Sequence, residues 1–368
     1  KLGTLQTSLN TLSRTVVRKV KHQLEDVLRI ALIGVLCSCE DYDEISDLIE
    51  DNQQELKDMG FLKLTNGVPS ADTIRRVIEA VDPNQIRASL AVCRDNIVSS
   101  LKGCHVIIDG KKLRGENPTS KGCNGLYILN AMVSDYEICV AEERVDDKTN
   151  ELTVLPSVIA SLCIVGALVS LDAMGSHRNI AQQIIMQDGH YLMALKDNQP
   201  ILKGLIETIF RNAYPLSTFA AEEKGHGREE KRKCSVLDTR LLEQEGMYEQ
   251  WPGLKRIIMM ERERLCNGVK SSETIYYLSS EEVDDASYFA SRIRDHWGIE
   301  NKLHWHLDVT FKEDQCRVRT KNGAVNLSII RKFAMELLKK QTDKLSLKRR
   351  RKKCMRNLGY LAKVMNEC

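Results

Sequence analysis

CHVIIDGKKLRG, residues 104–115, is where the hydrophobic pattern of this chain changes period. Its apolar run stops at Asp109 and gives way to a charged turn, which reads as a strand delivering a carboxylate. LYILNAMVSDYEICVAEERV (126–145) continues as two strands about a Ser134-Asp135 turn. NELTVLPSVIASL (150–162) fits a helix, ALVSLDAM (167–174) a strand, NIAQQIIMQDG (179–189) a helix, HYLMALK (190–196) a strand and PILKGLIETIFRNAY (200–214) a helix. Three antiparallel strands followed by strand-helix alternation imply an α/β domain, with a mixed sheet covered by helices on both faces.

Upstream, helix follows helix. VLRIALIGVLCS (27–38) has helical apolar spacing, DYDEISDLIEDNQQELKDMG (41–60) closes on Gly60, and PSADTIRRVIEAVD (69–82) opens on a Ser70 cap. The last of these is either a DNA-reading helix with Arg75 and Arg76 outward or the third helix of a small bundle. Downstream, REEKRKCSVLDT (228–239), LKRIIMMERERL (254–265) and SSETIYYLSS (271–280) return to β-like patterns and read as an inserted or edge β element.

No apolar run reaches the roughly 20 residues of a membrane span, and no signal-peptide pattern opens the chain, so a soluble intracellular protein is expected. The 12 cysteines are scattered without a CxxC pair and read as free thiols in a reducing compartment. Between Arg331 and Arg356 stand 12 Lys or Arg against two acids, so this segment holds +10 of a chain whose net charge is +3, and the remainder is −7. KRRRKK at 348–353 makes residues 341–368 a basic tail, suited to the phosphates of a nucleic acid or to solvation alone.

Two apolar runs end in aspartate, Asp109 and Asp172. Acids at the carboxyl ends of strands face a shared crevice in α/β sheets. A third candidate lies in RDHWGIENKLHWHLDVTFKED (294–314), where a helix would set Glu300, His304 and Asp308 on one face, four residues apart, behind His296. Three carboxylates suit two Mg²⁺ ions, which take hard oxygen ligands and leave positions for water and phosphate. Trp297 and Trp305 would pack this helix onto the sheet. Lys111, Lys112 and Arg114 follow the first acid, His177 and Arg178 the second, and Lys302 the third; each is a phosphate contact or an ordinary turn residue. Lys196, Asn198 and Gln199 follow a strand, where Asn198 could cap the next helix. A zinc site built on His296, His304 and His306 is disfavoured, since no HExxH spacing exists and helical His304 and His306 diverge.

Taken in order, these stretches resemble DDE-type insertion-sequence transposases of the H-repeat-associated, Rhs-linked group. The resemblance rests on GVPSADTIRRV (67–77), DGKKLRG (109–115), DDKTNELTVLP (146–156), LDAMGSHRNIAQQII (171–185), YLMALKDNQPIL (191–202), HGREEKR (226–232) and HWGIENKLHWHLDVTFKEDQCRVR (296–319). It spans nearly the whole chain. It departs from the group at His177, where relatives carry Gln, and lacks a strict Tyr-Arg-Glu-Lys signature, whose positions hold Ile293, His296 and Leu307.

The resemblance implies an N-terminal helical transposase-associated domain (1–100) and a ribonuclease-H-like DDE domain (101–340). A β-rich insertion at about 218–280 precedes the third acid, and the basic tail follows. It implies a catalytic and metal-binding triad of Asp109, Asp172 and Glu300 using Mg²⁺, or Mn²⁺ as substitute, two ions being expected. Its implied DNA contacts are Lys111, Lys112, Arg114, Arg178, Lys196, Asn198, Gln199, His226, Arg228, Arg232, Arg294, Lys302 and His304; Asp308 is a further candidate for the metals. The activity expected is cleavage at transposon ends and strand transfer to target DNA, by a homodimer on double-stranded DNA in the bacterial cytoplasm. The alternative is a catalytically inactive DNA-binding remnant of a mobile element.

Overall fold

The computed structural model describes residues 21–95, 100–113, 126–145, 150–225, 228–243, 251–318 and 320–366. Arg114, His226 and the start of the 146–156 motif lie outside the described residues. In chain order the elements begin with α1 (Leu24–Leu36), α2 (Tyr42–Asp51), α3 (Gln53–Asp58), α4 (Ala71–Ala80) and α5 (Pro83–Asp95). Then come β1 (His105–Leu113), β2 (Leu126–Val133), β3 (Ile138–Val145), α6 (Glu151–Ala160), β4 (Leu168–Leu171), α7 (Arg178–Met186), β5 (His190–Leu195) and α8 (Pro200–Asn212). They continue with β6 (Ser217–Gly225), β7 (Arg228–Asp238), α9 (Arg240–Glu243), β8 (Arg256–Cys266), β9 (Val269–Ser279) and α10 (Ala286–Ile299). Two π-helical stretches, Glu300–His304 and His306–Thr310, and a 3₁₀ turn, Glu313–Gln315, precede α11 (Gly323–Lys339), α12 (Leu347–Arg356) and α13 (Leu358–Met365).

The chain forms two compact units. One holds Ser100–Lys111 and Tyr127–Lys302, the other Lys1–Ser99, Lys112–Leu126 and Leu303–Cys368. Residues 303–340 fall in the same unit as the N-terminal helices.

The first unit is built on a nine-stranded sheet ordered β3-β2-β1-β4-β5-β9-β8-β7-β6. β1, β4 and β5 are parallel, and β2 with β3 is antiparallel, which is the ribonuclease-H-like arrangement. The stretch read as an insertion extends this same sheet: β9 pairs antiparallel with β5, and β8, β7 and β6 follow as a meander. Strand residues alternate between two cores. Val106, Ile108, Val169, Leu171 and Met193 pack beneath α6, α7 and α8 with the buried Trp251. Leu168, Leu192, Val236, Ile258 and Tyr277 pack with Phe289 and Ile293 of α10 on the other face.

Apart from the strand ends at Lys112, Leu113 and Leu126, the regular elements among the described residues of the second unit are helices. α11 is buried along nearly its whole length because its apolar residues run all round the helix. Asn326 Nδ2 donates to the carbonyls of Ile78 at 2.7 Å and Val81 at 2.9 Å, closing the C-terminal end of α4. The basic segment does not behave as a tail: Ser70 caps α4 as expected, and Ser346 likewise caps α12, which carries KRRRKK into the fold. Arg350 and Arg351 are 8% and 6% exposed. Arg350 donates to the carbonyls of Leu338 (2.7 Å) and Gln341 (2.8 Å) at the end of α11, and Arg351 Nη2 donates to Val35 O (2.7 Å) at the end of α1. Helix C-termini leave carbonyls without intrahelical partners and attract cations, which explains why two charges of the run are drawn inward.

Candidate active site

Ile108 of β1 lies opposite Leu171 of β4, so Asp109 and Asp172 are the next positions on two neighbouring parallel strands. Since Ile108 and Leu171 face the α6–α8 core, the alternation turns both aspartates to the α10 side. Contrary to the sequence reading, β1 does not end at Asp109: it continues to Leu113, past the last position paired with β4. Asp172 directly follows β4, and its Oδ1 accepts from Gly175 N at 3.1 Å. The loop behind it is fixed by Ser176 Oγ, which donates to Asp172 O at 3.1 Å, and by Asn198 Nδ2, which donates to Ala173 O at 2.8 Å. Asn198 thus ties two strand-end loops together instead of capping α8, whose N-cap is Gln199.

Glu300 arrives from α10. That helix gives way to the π-helical stretch Glu300–His304, so the expected α-helical row of Glu300, His304 and Asp308 is replaced by wider turns. Single π turns cluster at functional sites. Carboxylate oxygens of Asp109 and Glu300 lie within 4.8 Å of each other, and a His304 ring nitrogen, one turn along the same stretch, lies within 4.8 Å of Glu300. Asp172 does not belong to this close set. Glu300 is exposed, Asp109 and Asp172 are half-buried, and His304 is 3% exposed. Two hard carboxylate oxygens at this spacing fit a divalent cation of the Mg²⁺ or Mn²⁺ kind.

A polar bridge beneath the acids escaped the sequence reading. Ser170 Oγ lies 2.7 Å from His105 Nε2 and 2.8 Å from His296 Nδ1. It joins β1, β4 and α10 two residues before Asp172 and four before both Asp109 and Glu300. Burial pushes the His105 ring down to about 3, with His296 adding to the shift. Burial likewise takes His296 down to about 4 against the opposing pull of Asp172. Both rings are therefore neutral near pH 7, and one hydroxyl can donate to the first and accept from the second.

A fourth carboxylate and a phenol were also missed. Burial raises Tyr127, as do its hydrogen bond to Glu151 and the nearby charges of Asp109 and Asp172. Burial raises Glu151 too, while the Tyr127 hydrogen bond opposes the shift and Asp172 adds to it. Gly110 permits this packing, because a Cβ there would run into the Tyr127 ring. The signal in the sequence was slight: Glu151 belongs to the DDKTNEL stretch, but nothing marked its partner.

The expected basic contacts divide into two groups. Lys112, Arg178, Lys196 and Asn198 are exposed near strand ends, and Arg228 is exposed at the start of β7. Lys111 is instead buried within β1. Arg232 pairs with Glu223 and Glu230 at 2.8 Å, Arg294 Nη2 donates to Glu223 at 3.0 Å, and Lys302 pairs with Glu137 at 3.4 Å. The tryptophans also differ from expectation: Trp297 and Trp305 are 47% and 50% exposed, so neither plugs a core.

Residues 100–337 match the transposase DDE domain family, and residues 13–92 match the DDE_Tnp_1-associated family. The chain belongs to the transposase DDE domain family. It is 32% identical to "H repeat-associated putative transposase YhhI" of Escherichia coli strain K12, over 94% of this chain and 93% of that protein. It is 33% identical to "Putative transposase YncI" of Escherichia coli O157:H7, over 95% of this chain and 91% of that protein. Among solved structures it is similar to a piggyBac transposase synaptic complex with hairpin DNA, at 15% identity and a TM-score of 0.43, covering 99% of this chain and 77% of that one. The family acts on DNA with divalent metal ions, and no helix among the described residues of this transposase is long and apolar enough to cross a membrane.

Proposed function

We propose that this chain is a metal-dependent DNA transposase in which Asp109, Asp172 and Glu300 carry strand cleavage at transposon ends and transfer of the freed 3′-hydroxyl to target DNA. The observation that carries this reading is the approach of the Asp109 and Glu300 oxygens to within 4.8 Å, beside the end of a parallel strand pair. Asp109, Asp172 and Glu300 would hold one or two Mg²⁺ ions, with Mn²⁺ as substitute and His304 adjoining. When bound, such ions supply Lewis acidity at the scissile phosphate and lower the pKa of the attacking oxygen.

The chain itself supplies position and charge. Lys112, Arg178 and Lys196, exposed near the strand ends, suit contacts to the phosphate backbone, which fix register without reading sequence. The His105–Ser170–His296 bridge holds the end of α10 to β1 and β4, which keeps Glu300 at the strand ends. The expected partners are double-stranded transposon ends and target DNA. Because two ends must be joined, a homodimer on DNA is part of the proposal, as is residence in the bacterial cytoplasm with nucleoid association on binding.

Purified protein with Mg²⁺ or Mn²⁺ and an end-containing duplex should cleave one strand. Asp109→Asn should abolish cleavage and retain DNA binding; cleavage by that variant would overturn the triad. A second reading, a DNA-binding remnant, draws on Asp172 standing outside the close set. Duplex binding without cleavage by the unaltered protein would decide in its favour.

A further inference from the structure

The helical unit contains a cavity of about 760 Å³ that the DDE chemistry does not use. That volume lies in the range of small-ligand sites. Its walls come from the end of α1, α2, α4, residues 309–320, α11 and α12, all within this unit. Seven Lys or Arg line it against three carboxylates. Several of these charges are already matched: Lys312 pairs with Glu40, and Arg75 lies 3.6 Å from Glu79. Arg317, Lys348 and Lys352 form no ion pair with a described residue, so the wall keeps an excess of positive charge.

Two further features mark the cavity as built for an anion. Buried Arg351 stacks on Phe311 at 4.4 Å from the ring centroid, and its carbonyl bonds hold its guanidinium at the wall beside Arg331. Burial and the like charge of Arg331 lower the Arg351 pKa to about 10, while Arg331 itself lies 3.6 Å from the buried Glu313 carboxylate. Tyr42 also lines the cavity, and its hydroxyl is shielded from solvent and has no hydrogen-bond partner among the described residues. A buried hydroxyl without a partner costs free energy, which an incoming oxygen acceptor would recover. Phosphate oxygens can accept from such a hydroxyl and from the ammonium groups of Lys348 and Lys352 together.

We propose that this cavity is a binding site for a phosphate ester, with Arg331, Arg351, Lys348 and Lys352 as its cationic wall and Tyr42 as a hydroxyl donor. The ester could belong to a DNA strand entering the cavity or to a free nucleotide; only the first source draws on the transposase reading. Calorimetric titration of the full-length protein with inorganic phosphate, thymidine 5′-monophosphate and a five-residue oligothymidylate separates the sources. Tighter binding of the oligonucleotide assigns the site to a strand, and equal binding of the monophosphate assigns it to a nucleotide. Either result sustains the site.

The exposed pair Lys348→Glu/Lys352→Glu leaves the core intact and should weaken binding of the preferred probe about tenfold, with its salt slope reduced by about two. The control pair Lys57→Glu/Lys363→Glu, outside the cavity, makes the same change in net charge and should alter binding by less than about twofold. Tyr42→Phe should cost about fivefold through the hydroxyl alone. The proposal falls if no probe binds, if the control pair weakens binding as much as the cavity pair, or if both cavity variants bind like the unaltered protein. None of these readings involves strand cleavage, so an inactive enzyme would leave them interpretable.

Discussion

Two clusters of like charge meet opposite fates in this fold. Asp109 and Glu300 bring carboxylate oxygens within 4.8 Å of each other near a strand end. In the run 348–353, by contrast, Arg350 and Arg351 are buried against the carbonyls that end α11 and α1. The difference lies in the backbone each cluster meets. Asp109 stands past the last β4 pairing and Glu300 follows α10 in a π turn, so the strand register and the helix end bring these two acids together. Helix C-termini carry unsatisfied carbonyls, so the cations beside them are anchored to the fold itself.

This contrast is broken most directly at the acids. Asp109→Asn should reduce strand cleavage by about a thousandfold or more, the several kcal/mol that metal-held charge stabilisation is worth. It should not destabilise the fold, since it relieves the repulsion with Glu300; a lowered melting temperature would show that Asp109 serves the fold as well. The basic run predicts the reverse pattern. Arg351→Met strands Val35 O and a desolvated cavity wall, and should cost about 3 kcal/mol in urea unfolding. Exposed Arg349→Ala, two residues away, should stay within about 0.5 kcal/mol. Equal losses at both positions would mean that burial is not what distinguishes them.

The pattern of strands was legible because the apolar runs before Asp109 and Asp172 are local signals, although β1 continues past Asp109 to Leu113. What composition could not convey was tertiary satisfaction. KRRRKK reads as a basic tail for nucleic-acid phosphates because nothing in six basic residues reveals that two of them face the ends of helices formed earlier in the chain. The tryptophans misled for a similar reason: Trp297 donates to the Tyr277 hydroxyl and stays half-exposed, while Trp251, unremarkable in sequence, fills the core. The π turns at Glu300–His304 also leave no mark in a pattern scored at helical period.

The histidines under the acids give a pH test. Burial holds His105 at about 3 and His296 at about 4, below the ordinary value of about 6.5. As pH falls below about 6.5 the unfolded chain takes up protons on both rings while the folded protein does not, so stability is full above that pH and declines below it. Between pH 7 and 5 the loss should be about 4 kcal/mol by urea unfolding, about half from each ring, and His296→Gln should halve the slope. A flat profile for the unaltered protein would place these rings in solvent.

The smallest expected effect is the sharpest probe of how far the acidic site depends on its scaffold. Ser170→Ala removes the one hydroxyl that lies between His105 Nε2 and His296 Nδ1, so two buried ring nitrogens lose their partner at once. A stability cost of about 1–2 kcal/mol follows from the lost bonds alone. If the bridge also positions Glu300, cleavage should fall severalfold while duplex binding and metal preference stay unchanged, and Ser170→Thr, which restores a hydroxyl, should recover part of it. A variant that loses stability but cleaves at the full rate would make the bridge a packing device. The acids would then owe their approach to the sheet register and the π turn, independently of the polar groups beneath them.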